Sequence, residues 1–177
     1  SNGNNLRVAG SPSLSVGFKS FCWDMEYSIW EATDNNLSVR TDFDTPATVY
    51  ARLKTNPEFR LRFADRARKH LFHEGALTPW KTSARWWALA GQIDRAVVGE
   101  SARWGDRRRE PPYTRDVEWV RERDRLMSAY FPQRTAVLLE ELRAAGLYPR
   151  LAAPEFNRLG GPFPPGFALV LSAPEGA

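Results

Sequence analysis

The chain has 177 residues, 42% of them hydrophobic and 26% charged, which is typical of one globular domain with an apolar core. No run approaches the roughly 18 apolar residues that a membrane-spanning helix needs, so we expect no membrane span. The net charge of +4 is mostly arginine interleaved with Asp and Glu. The one dense basic run, Arg107-Arg108-Arg109, lies in a Gly/Asp/Pro-rich connection, which favours a solvated loop over a nucleic-acid contact. Cys22 is the only cysteine and excludes an internal disulfide.

A short strand is predicted after a polar N-terminal stretch. Residues 1–16 are rich in Gly, Ser and Asn and are predicted to be a loop or a ragged end. Residues 17–23 then alternate between two sets of side chains, and aromatic members in both sets indicate a strand with both faces partly covered. One set is Phe18, Ser20 and Cys22, and the other is Lys19, Phe21 and Trp23.

From Thr45 onward the sequence predicts helices. Good N-cap residues precede a proline at the first helical position in Thr45-Pro46, Asn56-Pro57 and Thr78-Pro79, and Thr114 caps a later helix. Left-handed C-caps are expected at Gly75, Gly105 and Gly146. We therefore predict five helices, at residues 46–55, 57–73, 79–104, 115–130 and 132–145, with a sharp bend near Phe131-Pro132. The predicted fold class is mainly α (α+β), with about five helices packed against a short β element.

The tail has a different character. Residues 150–166 hold four prolines and three glycines, and residues 167–171 are predicted to form a strand. A lone strand is not stable without partners. It either returns to the body of the protein or opens a β domain, and we favour the second. We expect a first domain at residues 1–149 and a linker with the start of a β module at 150–177.

Trp23-Asp-Met-Glu26 is the segment that bears most directly on function. In extended backbone Asp24 and Glu26 project to the same side, and two carboxylates at a strand end can hold Mg²⁺ or Mn²⁺. Such a metal suits phosphoryl transfer, because it neutralises the charge that develops on the phosphate. From residue types alone, a turn-forming or helix-capping role for the Asp is the more common outcome.

The run Gly17 through Tyr27 resembles a segment of the spore coat protein H (CotH) kinase-like family, in which an aromatic strand ends in Trp-Asp-x-Asp or Trp-Asp-x-Glu. Further similarity lies in Gly3-Asn-Asn5 and in several helical runs up to Pro149. The most distinctive runs are Asn56-Pro-Glu-Phe-Arg-Leu-Arg-Phe-Ala-Asp65, Lys69-His-Leu-Phe72 and Gly75-Ala-Leu-Thr-Pro79. Further similar runs are Glu100-Ser-Ala-Arg-Trp-Gly105, Tyr130-Phe-Pro-Gln-Arg134 and Ala145-Gly-Leu-Tyr-Pro149.

The resemblance implies the C-lobe-like part of an atypical protein kinase fold. It implies that Asp24 and Glu26 are metal ligands and that Asn5 contributes to cofactor binding, with ATP and Mg²⁺ or Mn²⁺ as cofactors. The partners it implies are ATP, a protein substrate and downstream β-sandwich modules, in a secreted or cell-surface parent. Because the family's phosphate-binding lysine and catalytic Asp precede the Trp-Asp motif, we expect this chain to be a piece of a longer protein and inactive alone. The alternative is a non-catalytic helical scaffold of a bacterial surface protein.

Overall fold

The structure is a computed structural model that describes residues 6–9, 19–22, 28–35, 37, 46–107 and 109–173. The described part is mainly helical, with a small two-stranded sheet near its beginning and a second short strand pair near its end. The mainly α prediction with a short β element is therefore confirmed. None of the described helices is both long and apolar enough to cross a lipid bilayer.

The first sheet consists of β1 (Leu6–Ala9) and β2 (Lys19–Cys22). The two strands are antiparallel, with Leu6 opposite Cys22 and Ala9 opposite Lys19. β2 lies inside the strand predicted at residues 17–23. β1 was wrongly assigned to a loop, because four residues between Asn- and Gly-rich flanks are too few to show the alternation of a strand.

Three helices follow within about two residues of their predicted bounds: α1 (Pro46–Leu53), α2 (Pro57–Leu71) and α3 (Pro79–Trp104). Asn56 caps α2 as predicted, since its side chain accepts a hydrogen bond from the Phe59 amide at 3.1 Å. Thr78 precedes α3 but makes no such cap; its hydroxyl donates to the Gly75 carbonyl at 2.8 Å. The proline-initiated helix starts are thus correct even where the capping bond differs.

The fourth and fifth predicted helices are one helix, α4, at residues 115–144, so the described part has four helices and the prediction of five was wrong. Thr114 caps it, accepting from the Val117 amide at 3.2 Å. The helix contains a wide π-helical turn at Leu126–Tyr130, in which the Phe131 amide donates to the Leu126 carbonyl. The dihedral angles stay helical at Tyr130 and Phe131 and the helix continues to Ala144, so the separate helix predicted to begin at Pro132 is not present.

Two of the three predicted glycine caps are wrong. Gly146 has the expected positive φ of 67° after α4, whereas Gly105 is right-handed, with φ −60°. Behind α2 the left-handed residue is His73, with φ 52°, and Gly75 instead packs against the carbonyl of His70. A Cβ on residue 75 would collide with that carbonyl, so the glycine is needed for close approach and not for its φ.

The buried side chains form two clusters. One joins the end of α2 to the end of α4 through Leu71, Leu142, Leu147 and Tyr148. The other lies in the middle of α4 and consists of Leu126, Tyr130 and Phe131, with Trp86 of α3 packed against it. The second cluster also covers Ile29 and Ala32, so it connects the long helices to the segment that follows the predicted metal ligands.

The tail forms a second antiparallel pair, β3 (Glu155–Phe156) and β4 (Leu171–Ser172). The strand predicted at residues 167–171 is therefore present only at its end. Arg68 of α2 donates to the Pro154 carbonyl at 3.3 Å and to the Glu155 carboxylate at 3.4 Å. The tail thus contacts the helical body.

Candidate functional site

The predicted site residues Asn5, Asp24 and Glu26 lie outside the described residues. The structure describes the chain on either side of the two carboxylates, in β2, which ends at Cys22, and again from Ser28. Across the described ranges, no group of three His, Cys, Asp or Glu side chains is arranged to hold a metal ion. The structural information nearest to the predicted metal ligands therefore comes from residues 28–35, which follow Glu26 in the chain.

Three side chains of α4 hold the segment at residues 28–35 by its backbone carbonyls. Arg125 Nη2 donates to the Ile29 carbonyl at 3.2 Å, and Arg134 Nη1 donates to the Ala32 carbonyl at 2.7 Å. The Tyr130 hydroxyl lies 3.5 Å from the Ser28 carbonyl. We call this set of contacts the carbonyl clamp. Because it begins two residues after Glu26, it restricts where the chain leaves the predicted site.

The two arginines of the carbonyl clamp are themselves fixed by glutamates on α4. Arg125 makes two contacts with Glu122, at 2.8 and 2.7 Å, and Arg134 makes two with Glu141, at 3.2 and 3.1 Å. The hydrogen bond from Arg125 lowers the pKa of Glu122, and the same bond raises the pKa of Arg125. The two contacts with Glu122 hold the Arg125 guanidinium in the position from which it donates to the Ile29 carbonyl.

Tyr130 completes the clamp from inside the core. It is 7% exposed and packs edge-on against Phe131, with ring centroids 5.4 Å apart. Burial raises the pKa of its hydroxyl above the ordinary 10.0, so the group remains a hydrogen-bond donor further into the alkaline range than an exposed tyrosine would. The tyrosine thus links the second buried cluster directly to the backbone at Ser28.

Residues 31–34 form a turn, as is common for a segment rich in Asp and Asn. The Asp34 carboxylate accepts from the Glu31 amide at 3.1 Å, and the Asp34 amide donates to the Glu31 carbonyl at 3.2 Å. Asn35 in turn accepts from the Leu37 amide at 3.0 Å. Such side-chain bonds to nearby amides are the usual role of Asp and Asn in turns. They fix the local shape of the segment that the carbonyl clamp holds.

The basic loop before α4 is partly neutralised. Arg109 forms an ion pair with Glu118, whose carboxylate also accepts from the Thr114 amide at 2.8 Å. That backbone hydrogen bond, together with Arg109, lowers the pKa of Glu118. Arg115 at the start of α4 reaches Asp94 of α3 at 3.1 Å through Nε. These arginines therefore join the loop to the helices.

Several tryptophans of the helices do not lie in the core. Trp80, Trp87 and Trp104 are 51%, 53% and 45% exposed, while Trp86 packs on Phe131 with ring centroids 6.0 Å apart. Arginine side chains lie over some of the exposed rings, as Arg123 does over Trp87 at 4.9 Å. Helical spacing alone could not separate the buried from the exposed indoles.

Reasoning from the sequence missed the carbonyl clamp, because its members contact residues about 100 positions earlier in the chain. The sequence did contain a signal for the ion pairs that hold the two arginines of the carbonyl clamp. Glu122 and Arg125 are three residues apart and Arg134 and Glu141 seven, spacings that bring charges to the same side of a helix. No protein-family model matches this chain, and comparisons with curated proteins and with solved structures give no match either.

Proposed function

We propose that residues 1–149 are the C-terminal part of a CotH-like atypical protein kinase domain. In the parent protein, Asp24 is a ligand of the Mg²⁺ or Mn²⁺ ion that bridges ATP phosphates, Glu26 is the second acidic ligand, and Asn5 contributes to binding the cofactor. The observation that carries the proposal is Trp23-Asp-Met-Glu26, which begins directly after the end of β2 at Cys22. In this family an aromatic strand delivers the metal-binding Asp in the same way.

The donor set is compatible with the proposed metal. Two carboxylates at one strand end offer the hard oxygen ligands that Mg²⁺ and Mn²⁺ prefer, and they leave the remaining positions for phosphate oxygens and water. Bound there, the metal would supply charge neutralisation for phosphoryl transfer. The residues of this chain contribute the ligands and hold the backbone beside them.

The carbonyl clamp supports the proposal by its place in the chain. A metal ligand on a strand end needs a fixed backbone on both sides, because a misplaced ligand loses both affinity and rate. β2 pairs with β1 before the motif, and Arg125, Tyr130 and Arg134 hold the backbone after it. The long helices thus have a specific role in the proposal, which is to position the chain that leaves the site.

The proposal gives the chain alone no phosphotransferase activity. The phosphate-binding lysine and the catalytic Asp of the family precede the Trp-Asp motif, and no residue of this chain is proposed for either role. The parent protein is proposed to be secreted or held at the cell surface. It places protein substrate beside the helical part and β-sandwich modules after residue 150.

The second candidate is a non-catalytic helical scaffold that joins surface modules to one another. The tail favours it, because the large apolar side chains of Val170, just before β4, and Leu171, within it, are more than half exposed. Exposed apolar strand residues of this kind are typical of a surface that meets another module.

Calorimetry of the full-length protein with Mn-ATP separates the two candidates. The kinase proposal predicts saturable binding that Asp24→Asn weakens by at least ten-fold. Asp34→Asn is the matched control, since it makes the same substitution ten residues later and keeps an oxygen that can accept from the Glu31 amide, so Mn-ATP binding should be unchanged. A scaffold predicts no binding by any variant, and equal weakening by both substitutions would show that Asp24 is not the ligand.

A further inference from the structure

The geometry points to a ligand site between the end of α2 and the tail, selective for a small molecule with an aromatic or aliphatic body and one carboxylate. This site is separate from the proposed metal site, and the inference does not depend on phosphate transfer. It rests on a cavity of about 810 Å³ between α2 and the segment at residues 156–169. That volume falls in the range of sites that take drug-sized ligands.

The two walls of the cavity differ in chemistry. The α2 wall presents ionisable side chains together with Phe72, while the tail wall is dominated by aromatic and aliphatic side chains. The large apolar residues of the tail wall are between 39% and 58% exposed: Phe156, Leu159, Phe163 and Leu169. So much apolar surface facing one cavity gives an apolar ligand body a favourable place to bury.

The tail wall is fixed in shape before any ligand binds. Phe163 and Phe167 stack with ring centroids 5.6 Å apart, and the Arg158 guanidinium lies 5.8 and 5.7 Å from the two rings. Asn157 ties the two arms of the tail together through the Ala168 carbonyl at 3.0 Å and the Val170 amide at 3.1 Å. A preformed wall lowers the entropy that binding costs.

The tail wall is also anchored to α2. Glu155 accepts from Arg68 at 3.4 Å, and its second oxygen lies 3.7 Å from His73 Nε2. Together with the Arg68 bond to the Pro154 carbonyl, these contacts connect the tail wall to the end of α2 and help to set the separation of the two walls.

The ionisable side chains that line the cavity favour a ligand with a negative charge. Among the ionisable residues that line the cavity, Arg68 is paired with Glu155, and Glu74 is paired with Lys81 at 3.2 Å. Lys69 and Arg158 then remain without an ion-pair partner among the described residues, against a single remaining carboxylate, Asp65. Two cations against one anion favour a carboxylate over an ammonium group on the ligand.

A matched series of three probes tests the inference: 4-phenylbutyrate, 4-phenylbutanol and 4-phenylbutylamine share one apolar body and differ in charge. Each is titrated into the ¹⁵N-labelled chain at pH 7 and followed by amide chemical shifts. We expect shifts at residues 65–75 and 156–169, with the carboxylate about five-fold tighter than the alcohol and the amine weakest.

Three variants test which residues produce the binding and the preference for the carboxylate. Lys69→Met should reduce the affinity for the carboxylate to about that of the alcohol, while Arg66→Met, which makes the same charge change on the same helix outside the cavity, should leave the preference intact. Phe163→Ala should weaken all three probes alike. The inference is overturned if no probe shifts these amides at millimolar concentration, if the amine binds as tightly as the carboxylate, or if Lys69→Met leaves the preference unchanged.

Discussion

Arg134 and Glu141, two turns apart on α4, form a two-contact ion pair whose guanidinium also holds the Ala32 carbonyl at 2.7 Å. The side chain of Glu141 is 9% exposed and that of Arg134 22% exposed, so the pair is largely removed from water. It connects the interior of the helix to the segment that follows the predicted metal ligands, and this makes it the most consequential contact of the carbonyl clamp.

Arg134→Met is expected to lower the free energy of unfolding by about 2–3 kcal/mol, because it leaves the Glu141 carboxylate buried without its partner. Urea denaturation followed by circular dichroism measures the change. The double variant Arg134→Met/Glu141→Leu should recover at least half of the loss, since the uncompensated charge is then gone. A double variant no more stable than Arg134→Met would contradict this account.

Glu118→Gln should destabilise the protein near pH 7, and the difference should vanish in acid. The pKa of Glu118 is lowered from its ordinary 4.5, chiefly by the Thr114 amide, so its stabilising effect is complete above that value. It is lost as the pH falls through the lowered pKa. Urea unfolding between pH 7 and pH 3 measures the gap between wild type and variant. A gap of equal size at both ends would refute the assignment, and Arg109→Met should reproduce only part of the effect.

Substituting alanine for Gly91, within α3, and for Gly105, directly after it, should change the free energy of unfolding in opposite directions. A Cβ at Gly105 would collide with the carbonyl oxygens of Tyr113 and Ser101, so Gly105→Ala should cost about 1–3 kcal/mol. A Cβ at Gly91 meets nothing within 4 Å, so Gly91→Ala should stabilise the helix by about 0.5–1 kcal/mol. Thermal unfolding of both variants measures these changes, and a common sign would contradict the packing described for Gly105.

His73→Gly should be more stable than His73→Ala by about 1 kcal/mol. His73 has φ 52°, where glycine is unstrained and alanine is not, and both variants remove the same contact with Glu155. Comparison of the two variants by urea unfolding therefore isolates the backbone effect. Equal stability of the two would mean that residue 73 leaves the left-handed region when its side chain is removed.

The sequence predicted correctly those features of the fold that are determined by residues close together in the chain. The start of α2 is fixed by Asn56 and Pro57, which act within one turn, and it was predicted correctly. The separate helix predicted to begin at Pro132 is absent, because the helix continues from the π-helical turn at Leu126–Tyr130 through the proline to Ala144. A proline in that setting removes a hydrogen bond without ending the helix.

In the candidate site, too, a feature that depends on neighbouring residues was predicted and one that depends on distant contacts was not. The alternation of residues 17–23 predicted the strand that leads to Asp24, whereas the carbonyl clamp depends on contacts across about 100 residues. Likewise, nothing local in the sequence identified His73 as the left-handed residue, since glycine is the usual choice and Gly75 stood close by.

The most direct test of the proposed function is phosphate transfer from γ-³²P-labelled ATP by the full-length protein in the presence of Mg²⁺ or Mn²⁺. Wild type and Asp106→Ala, which removes an exposed carboxylate after α3 that is not part of the carbonyl clamp, should label protein to the same extent, and Asp24→Ala should reduce labelling to background. Labelling that survives Asp24→Ala, or its absence from wild type with either metal, would contradict the proposal.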